Sequence, residues 1–499
     1  MRKIIENQME IGQIPFSEIK IDLKSRDEIP KILLGLKHIY QNEELFDRVC
    51  AVLKKLIPNN INKSNGRPGM HLWRILVLGA IRLGCNWDYD KLHDIANNHN
   101  TIRQIMGHSI YFEDIYSLQT IKDNVSLFTA DILNEINDIV IEAGHDFIGV
   151  KEDDKLKGRC DSFVVETDVH YPTDINLLFD AIRKIIELTA QLCSGTYIMD
   201  WRQSKYILKK VKKYFNKVRK MKRSNSKNKE KKAAKEQLLI GAYKEYIALV
   251  ISLINKAAET IEKFDLMDIY TKARANEIVG YMFHAERQIN QIEKRVINSE
   301  KIPHNEKIFS LFEWYTEWIK KGKAGVQQEL GLKVCILEDQ FGFILNHKIM
   351  QKQTDDKIAV PIIRETLSRF PNLYSCSFDK GFHSPDNKEE LKELLPEVIL
   401  PKKGKLSIAQ KEEEHSEEFI KARHQHSAVE SAISALENHG LDRCPDKGLH
   451  GFERYVGLAV LSRNIQILGG IIRKKELKSI KRREKYNQTR NGTQLKQAA

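Results

Sequence analysis

Apolar residues along this chain recur at two spacings, and the switches between them divide it into segments. Up to about residue 150 the spacing is helical. Ile75, Leu76, Leu78, Ile81 and Leu83 form an apolar run entered through Gly66-Arg67-Pro68, a helix-start turn. Asn86-Trp87-Asp88-Tyr89 and then LHDIANNHNTIRQIMG follow, which reads as a short helix, a polar turn and a second helix. That pattern suits a helix-turn-helix DNA reader and suits a small helical bundle equally well. The period then changes. Residues 162–167, SFVVET, read as a β-branched strand with Asp168 at its C-terminal end, and Pro172 blocks any extension. From about Ile175 to Lys321 helical spacing returns, with Ile247, Leu249, Val250, Ile254 and Ala258 on one stripe. Trp314 and Trp318, four apart in an aromatic-rich stretch, are expected in a core.

Strand spacing resumes at residues 332–337, LKVCIL, and a turn through Asp339 and Gly342 leads to 343–345, predicting a β-hairpin. Residues 361–370 read as a short helix with Pro361 near its start. LYSCSF, 373–378, reads as a strand ending at Asp379, and 398–400 as one more short strand. Next comes an amphipathic helix. Val429, Ala432, Ile433 and Leu436 form its core stripe, and Arg423, His426, Glu430, Ser434 and Glu437 fall on an adjoining face. Gly440 is placed to end that helix in the left-handed conformation, and residues 455–472 form a last apolar helix. Four segments follow from this: a helical N-terminal domain (1–150) for DNA binding or dimerisation, an α/β domain (160–175 and 330–470), a helical insertion within it (176–329), and a C-terminal tail (473–499).

Composition adds bounds to this outline. At 499 residues, 41% hydrophobic and 30% charged, the chain reads as globular and soluble, with room for two or three domains. No run approaches the roughly 18 uninterrupted apolar residues of a membrane span, and the N-terminus lacks a secretory core, so no membrane partner and a cytoplasmic location are expected. Seven scattered cysteines without a C-x-x-C pair predict reduced, buried thiols rather than a zinc site or disulfides.

The net charge of +13 is concentrated in two places. Residues 205–235 carry fifteen Lys or Arg against Glu230, a net of +14, and the tail 473–499 carries +8, so everything else sums to −9. Lys205, Lys209, Lys210, Lys212, Lys213, Lys217, Arg219 and Lys220 open the first block. Such blocks are either solvated faces or polyanion contacts, since clustered cations gain affinity by releasing phosphate counterions.

A strand ending in Asp168, a hairpin, a helix, a strand ending in Asp379 and a helix bearing Glu430 form an order in which three carboxylates can converge at one sheet edge. Unpaired, they would repel one another until one protonates, and a divalent cation removes that conflict. Hard oxygen donors with no Cys or His cluster favour Mg²⁺ or Mn²⁺. Two ions about 3.5–4 Å apart would suit in-line displacement at a phosphodiester, which also gives the basic blocks a purpose.

VVETDVHYPTD (164–174), SFDKGFHS (377–384) and HSAVESAISALENHGLDRCPDKGLHGFERY (426–455), followed by LAVLSRNIQILG, resemble the DDE transposases of bacterial insertion sequences, most closely the ISNCY group. GRPGMHLWRILVL is similar to the helical N-terminal domain of related transposases. The resemblance implies an RNase H-like catalytic domain, a mixed sheet with flanking helices, in which Asp168, Asp379 and Glu430 are the catalytic metal ligands. It further implies a Mg²⁺-dependent enzyme, with Mn²⁺ as substitute and two ions per site. Such an enzyme cuts double-stranded DNA at the element's ends and joins the freed 3′-hydroxyl to target DNA. Two sites must meet two ends, so a homodimer is expected on DNA. The sequence departs from the family in having Glu437 where some members carry a lysine seven residues after the glutamate, and in placing its insertion after the first strand. Lys380, Arg423 and His426 are candidates for phosphate or scissile-strand contacts, surface ion pairing being their alternative role. Two other functions stay open: an RNase H-like nuclease without strand transfer, and a non-catalytic DNA-binding protein derived from a transposase.

Overall fold

The computed structural model describes residues 3–5, 11–57, 69–111, 115–151, 153–223, 229–265, 267–303, 306–320 and 327–497, and the side chains of all of these but 229, 409, 413 and 488–497. The expected turn at Gly66-Arg67-Pro68 lies outside the described residues. Contacts divide the chain into two compact units, Met1–Asp168 with Glu317–Ala499, and Val169–Thr316.

The first unit holds a mixed sheet of strands β1 (Leu156–Thr167), β2 (Glu317–Lys320), β3 (Gln328–Glu338), β4 (Ile344–Met350), β5 (Leu373–Phe378), β6 (Glu397–Ile399) and β7 (Arg443–Cys444). They run in the order β2-β3-β1-β5-β6, with β4 paired to β3 and β7 to the far end of β1. β3 is antiparallel to β1 and to β4, whereas β5 is parallel to β1 and β6 to β5. β1 begins at Leu156, six residues before the expected start. Its first half alternates: Leu156, Gly158 and Cys160 are buried while Lys157, Arg159 and Asp161 are less so, the period-2 signature of a strand with one wetter face. Gly331 lets β3 approach β1, since a Cβ there would stand 2.0 Å from the Val165 carbonyl oxygen.

The β3–β4 turn is built on Asp339, whose Oδ1 accepts from the N–H groups of Phe341 and Phe343 at 2.8 and 2.9 Å, with Gly342 at φ +92°. α12 (Asp355–Arg369) joins β4 to β5. It starts at Asp355, so Pro361 lies inside it rather than at its start; Asp355 and Asp356 in the first turn complement the helix dipole.

Helices α1 (Ile29–Gln41), α2 (Glu43–Leu53), α3 (Leu72–Gly84), α4 (Tyr89–Asn98), α5 (Asn100–Ile105), α6 (Leu118–Val125) and α7 (Ala130–Ile148) precede the sheet. α1, α3 and α7 pack on the last helix, α17 (Gly448–Gln497). The α1–α17 crossing is close enough that a Cβ on Gly469 would meet the Lys31 carbonyl oxygen at 1.7 Å. Side-chain bonds tie these helices to the sheet: His145 on α7 lies 2.6 Å from Asp339, and Asn464 on α17 brackets Ile344, accepting from its N–H and donating to its carbonyl at 2.9 Å each. Residues 1–150 and 330–470 therefore lie in one contact unit. The basic tail from residue 473 continues α17, and Arg473 donates to the carbonyls of Leu23 and Ser25.

The second unit is helical, with α8 (Asp174–Leu192), α9 (Ser204–Arg223), α10 (Lys229–Ile261) and α11 (Ile269–Ile292) around a core that includes Ile182, Trp201, Phe215 and Tyr246. Trp314 is 71% exposed, against the core position expected of it, because no helix spans the aromatic stretch there. Two helical stretches, Glu230–Ile261 and Gly448–Asn487, are long and apolar enough to cross a membrane by length and composition. The second has 78% of its most apolar window buried within the chain, as in the core helix of a globular fold.

Candidate active site

The parallel pairing of β1 and β5 sets Arg159 level with Ser377 and Cys160 with Phe378. One step further, where β5 ends, Asp161 and Asp379 are therefore neighbours on adjacent strands. Asp379 leaves the strand extended and exposed, and its carbonyl accepts from Phe382 N–H at 3.1 Å to close a short turn over Lys380–Phe382. Phe382 is 1% exposed and its ring lies 5.6 Å from that of Phe378, so packing anchors the turn that follows the acid.

Glu430 arrives on a helical path of α15 (Glu417–His426) and α16 (Ala428–Leu436), joined at Ser427. α16 packs on β1 and α15 on β5 and β6. Val429, Ala432 and Leu436 are buried and Glu430 is exposed beside them, so the core stripe sets the azimuth of the acid. Gly440, at φ +106°, ends the path, and a Cβ there would lie 2.8 Å from both Asn86 Oδ1 and Tyr455 Oη.

These groups share one field. Burial pushes the Asp161 carboxyl up to about 6; the Ser162 N–H works against that, while the like charges of Asp379, Asp355 and Glu430 reinforce it. Burial pushes His426 down, opposed by Asp379 and Glu430 and reinforced by Arg159 and Arg423. Asp355 accepts from Ser162 Oγ at 2.6 Å and from Lys333 Nζ at 2.8 Å, so its charge is already partnered. Arg159 is held by Glu338 at 3.0 Å.

Asp168, the first of the three acids expected from the sequence, stands elsewhere, just past the end of β1. It lies seven residues beyond Asp161 along an extended strand, on the order of 20 Å away. Its carboxylate faces Arg443 at 3.9 Å and Lys447 at 3.8 Å, beside a Glu166–Arg443 pair at 3.1 Å where β7 joins β1. By composition the strand starts at Ser162, where the apolar run begins, and Asp161 falls outside it, whereas β1 spans Leu156–Thr167. The usable signal was the alternation in LKGRCD, together with the level pairing that two parallel strands impose on their acids.

Among the described residues no three His, Cys, Asp or Glu side chains stand as a ready-made metal cluster. The oxygen donors of Asp161, Asp379 and Glu430 fit a hard divalent cation in type, and such an ion would relieve the like-charge repulsion that adds to the effect of burial on Asp161.

The remaining candidates are cations. Lys205, Lys209, Lys210, Lys212, Lys213, Lys217, Arg219 and Lys220 are all exposed on α9, which buries Val211, Phe215 and Val218 on its other side. Five of these lysines line a surface cavity of about 730 Å³, where Lys217 meets Glu245 at 2.6 Å. A second cleft, about 690 Å³, lies along α4 and α5 and is lined by His93, Asn97, Arg103 and His108 among others. The acids line neither of these two cavities; Asp379 and Glu430 are exposed and Asp161 is half-buried. Lys380 and Arg423 are exposed beside Asp379 and Glu430, whereas His426 is half-buried with its Nδ1 3.0 Å from Ser377 Oγ.

Residues 291–465 match the protein-family model described as Transposase DDE domain. The matched stretch contains Asp379 and Glu430 and begins after β1, so it excludes both Asp161 and Asp168. Neither the comparison with curated proteins nor that with solved structures gave a match. The mixed sheet with flanking helices and this match are consistent with an RNase H-like fold. Over residues 291–465 the chain is similar to the DDE transposases, which supports transposase function in general terms.

Proposed function

We propose that the chain is a DNA transposase, of a kind closest to the ISNCY group, that cleaves at the ends of its element and transfers the 3′-hydroxyl into target DNA. Asp161, Asp379 and Glu430 are its catalytic carboxylates, with Asp161 in the role expected of Asp168. The observation that carries this is the parallel register that sets Cys160 level with Phe378 and so brings Asp161 next to Asp379, with Glu430 in the same field and Asp379 and Glu430 inside the stretch similar to a transposase DDE domain.

The three residues would hold two Mg²⁺ ions, or Mn²⁺ in their place, which supply charge to orient the nucleophile and stabilise the leaving oxygen in an in-line displacement. Asp161 is the fixed member, half-buried in a central strand. Asp379 and Glu430 are exposed and able to adjust as the scissile phosphate arrives. Lys380 and Arg423 place positive charge beside the acids for the DNA backbone, and the α9 lysines add affinity that does not depend on sequence. A homodimer on DNA brings two such sites to two ends.

The test is cleavage of the gene's own flanking DNA with Mg²⁺ or with EDTA. Asp161→Asn and Asp379→Asn should each lower cleavage by about a thousandfold, as expected for several kcal/mol of transition-state stabilisation, with DNA binding intact. Asp168→Asn should cleave within about threefold of wild type, since it removes only exposed pairs. The reverse ranking of Asp161 and Asp168 would return the role to Asp168. Breaks at scattered positions would favour a nuclease, and binding without cleavage a non-catalytic protein.

A further inference from the structure

His426 closes α15 four residues before Glu430, one helical turn away, so both side chains leave the same side of the path. Its neighbours Arg423, His424, Gln425 and Ser427 are exposed, but His426 is drawn inward. Its partner Ser377 is 5% exposed and lies on β5, two residues before Asp379 and level with Arg159, which is two residues before Asp161. One hydrogen bond of 3.0 Å thus joins the helical path bearing the glutamate to the strand that leads into one aspartate, beside the strand bearing the other. α15 has no fully buried residue, so apolar burial gives it little hold on the sheet.

We propose that the Ser377–His426 hydrogen bond docks α15 and α16 on β5 and thereby sets Glu430 against Asp379 and Asp161. His426 is then a positioning residue, not the DNA contact that its place in the sequence suggested. The proposal rests on the metal-dependent cleavage proposed above and deepens it. Either tautomer serves. The Ser377 hydroxyl can donate to Nδ1, or it can accept from an Nδ1–H while donating to the Gly158 carbonyl 3.4 Å away. An Asn side chain at 426 offers both a donor and an acceptor near the Nδ1 position, and is the conservative replacement.

The experiment compares wild type with Ser377→Ala, His426→Ala, the double variant and His426→Asn in three readouts. These are amide hydrogen exchange of residues 417–436 by mass spectrometry, the Mg²⁺ concentration giving half-maximal cleavage, and DNA affinity. Each Ala variant should speed exchange in 417–436 and raise the half-saturating Mg²⁺, both by about tenfold, the size of one hydrogen bond. The double variant should be no worse than either single one, because both remove the same contact. DNA affinity should stay within about twofold throughout, and His426→Asn should stay within about threefold of wild type in all readouts. Unchanged exchange in the Ala variants overturns the docking role. So does normal exchange with cleavage lost in His426→Asn, which would assign the work to the imidazole itself, and so does a parallel loss of DNA affinity. Faster exchange in the Ala variants of a protein that never cleaves with Mg²⁺ would uphold the docking and sink the transposase reading instead.

Discussion

His108 lies just beyond α5, 3% exposed, with its Nε2 2.7 Å from the Tyr116 hydroxyl. Burial, reinforced by the positive charge of Arg74 and Arg103, pushes its pKa down to about 3. In the unfolded chain an imidazole titrates near 6.5. Because the folded value is depressed, the unfolded state binds more protons between those two values. The stability from this site is therefore whole above about pH 6.5 and is lost as pH falls towards 3. A shift of that size is worth on the order of 5 kcal/mol once both states are fully protonated. His108→Gln keeps an acceptor for Tyr116 and cannot take up the proton. In urea unfolding between pH 8 and 4, its stability relative to wild type should rise by a few kcal/mol on the acid side. Parallel curves for the two proteins would mean that His108 is not the group being titrated.

At the scale of elements, α9 and β1 show what spacing can and cannot reveal. The basic run was legible because charge density needs no register, and the helix divides as its apolar positions predict, with Val211, Phe215 and Val218 buried and the cations outside. If α9 contacts DNA, replacing Lys209, Lys212, Lys213 and Lys220 by Gln should lower the slope of log affinity against log salt by about 3–4, near 0.9 per phosphate contact. Filter binding between 50 and 300 mM salt measures this, and an unaltered slope would take α9 out of the DNA interface. β1 was only half legible. Its apolar half, SFVVET, stands out by composition, but its first half is revealed only by pairing: Asp161 becomes a candidate because β5 lies parallel to β1 and ends at Phe378, level with Cys160. Asp379 and Glu430 needed less, since a strand end and a helix azimuth are local properties. Asp168 satisfied the same local rule as Asp379, and only the partner strands separate the two.

Over the whole first unit, Asp446 shows how the two ends of the chain depend on each other, which no local pattern reveals. Its carboxylate accepts from Arg82 on α3 at 2.9 Å and from Arg454 on α17 at 3.0 Å, with all three side chains 2–10% exposed. Tyr89 stacks under the Arg82 guanidinium at 3.9 Å, Arg454 also donates to the Ser126 carbonyl at 3.2 Å, and among the described residues the Nε of each arginine has no hydrogen-bond partner. Asp446→Ala would leave two buried cations facing each other without their counter-charge, which costs about 3–5 kcal/mol. The exposed carboxylate of Asp168, facing Arg443 and Lys447, should cost less than about 1 kcal/mol on the same change. Urea denaturation separates the two variants, and equal losses would mean that the Asp446 cluster is not closed to solvent. Because Arg82 and Asp446 are 364 positions apart, the loss should not stay local. Hydrogen exchange in Asp446→Ala should quicken in α3 and in α17 together, by the same factor in each. Exchange that rises in α17 alone would mean that the N-terminal helices fold independently of the sheet that carries the acids.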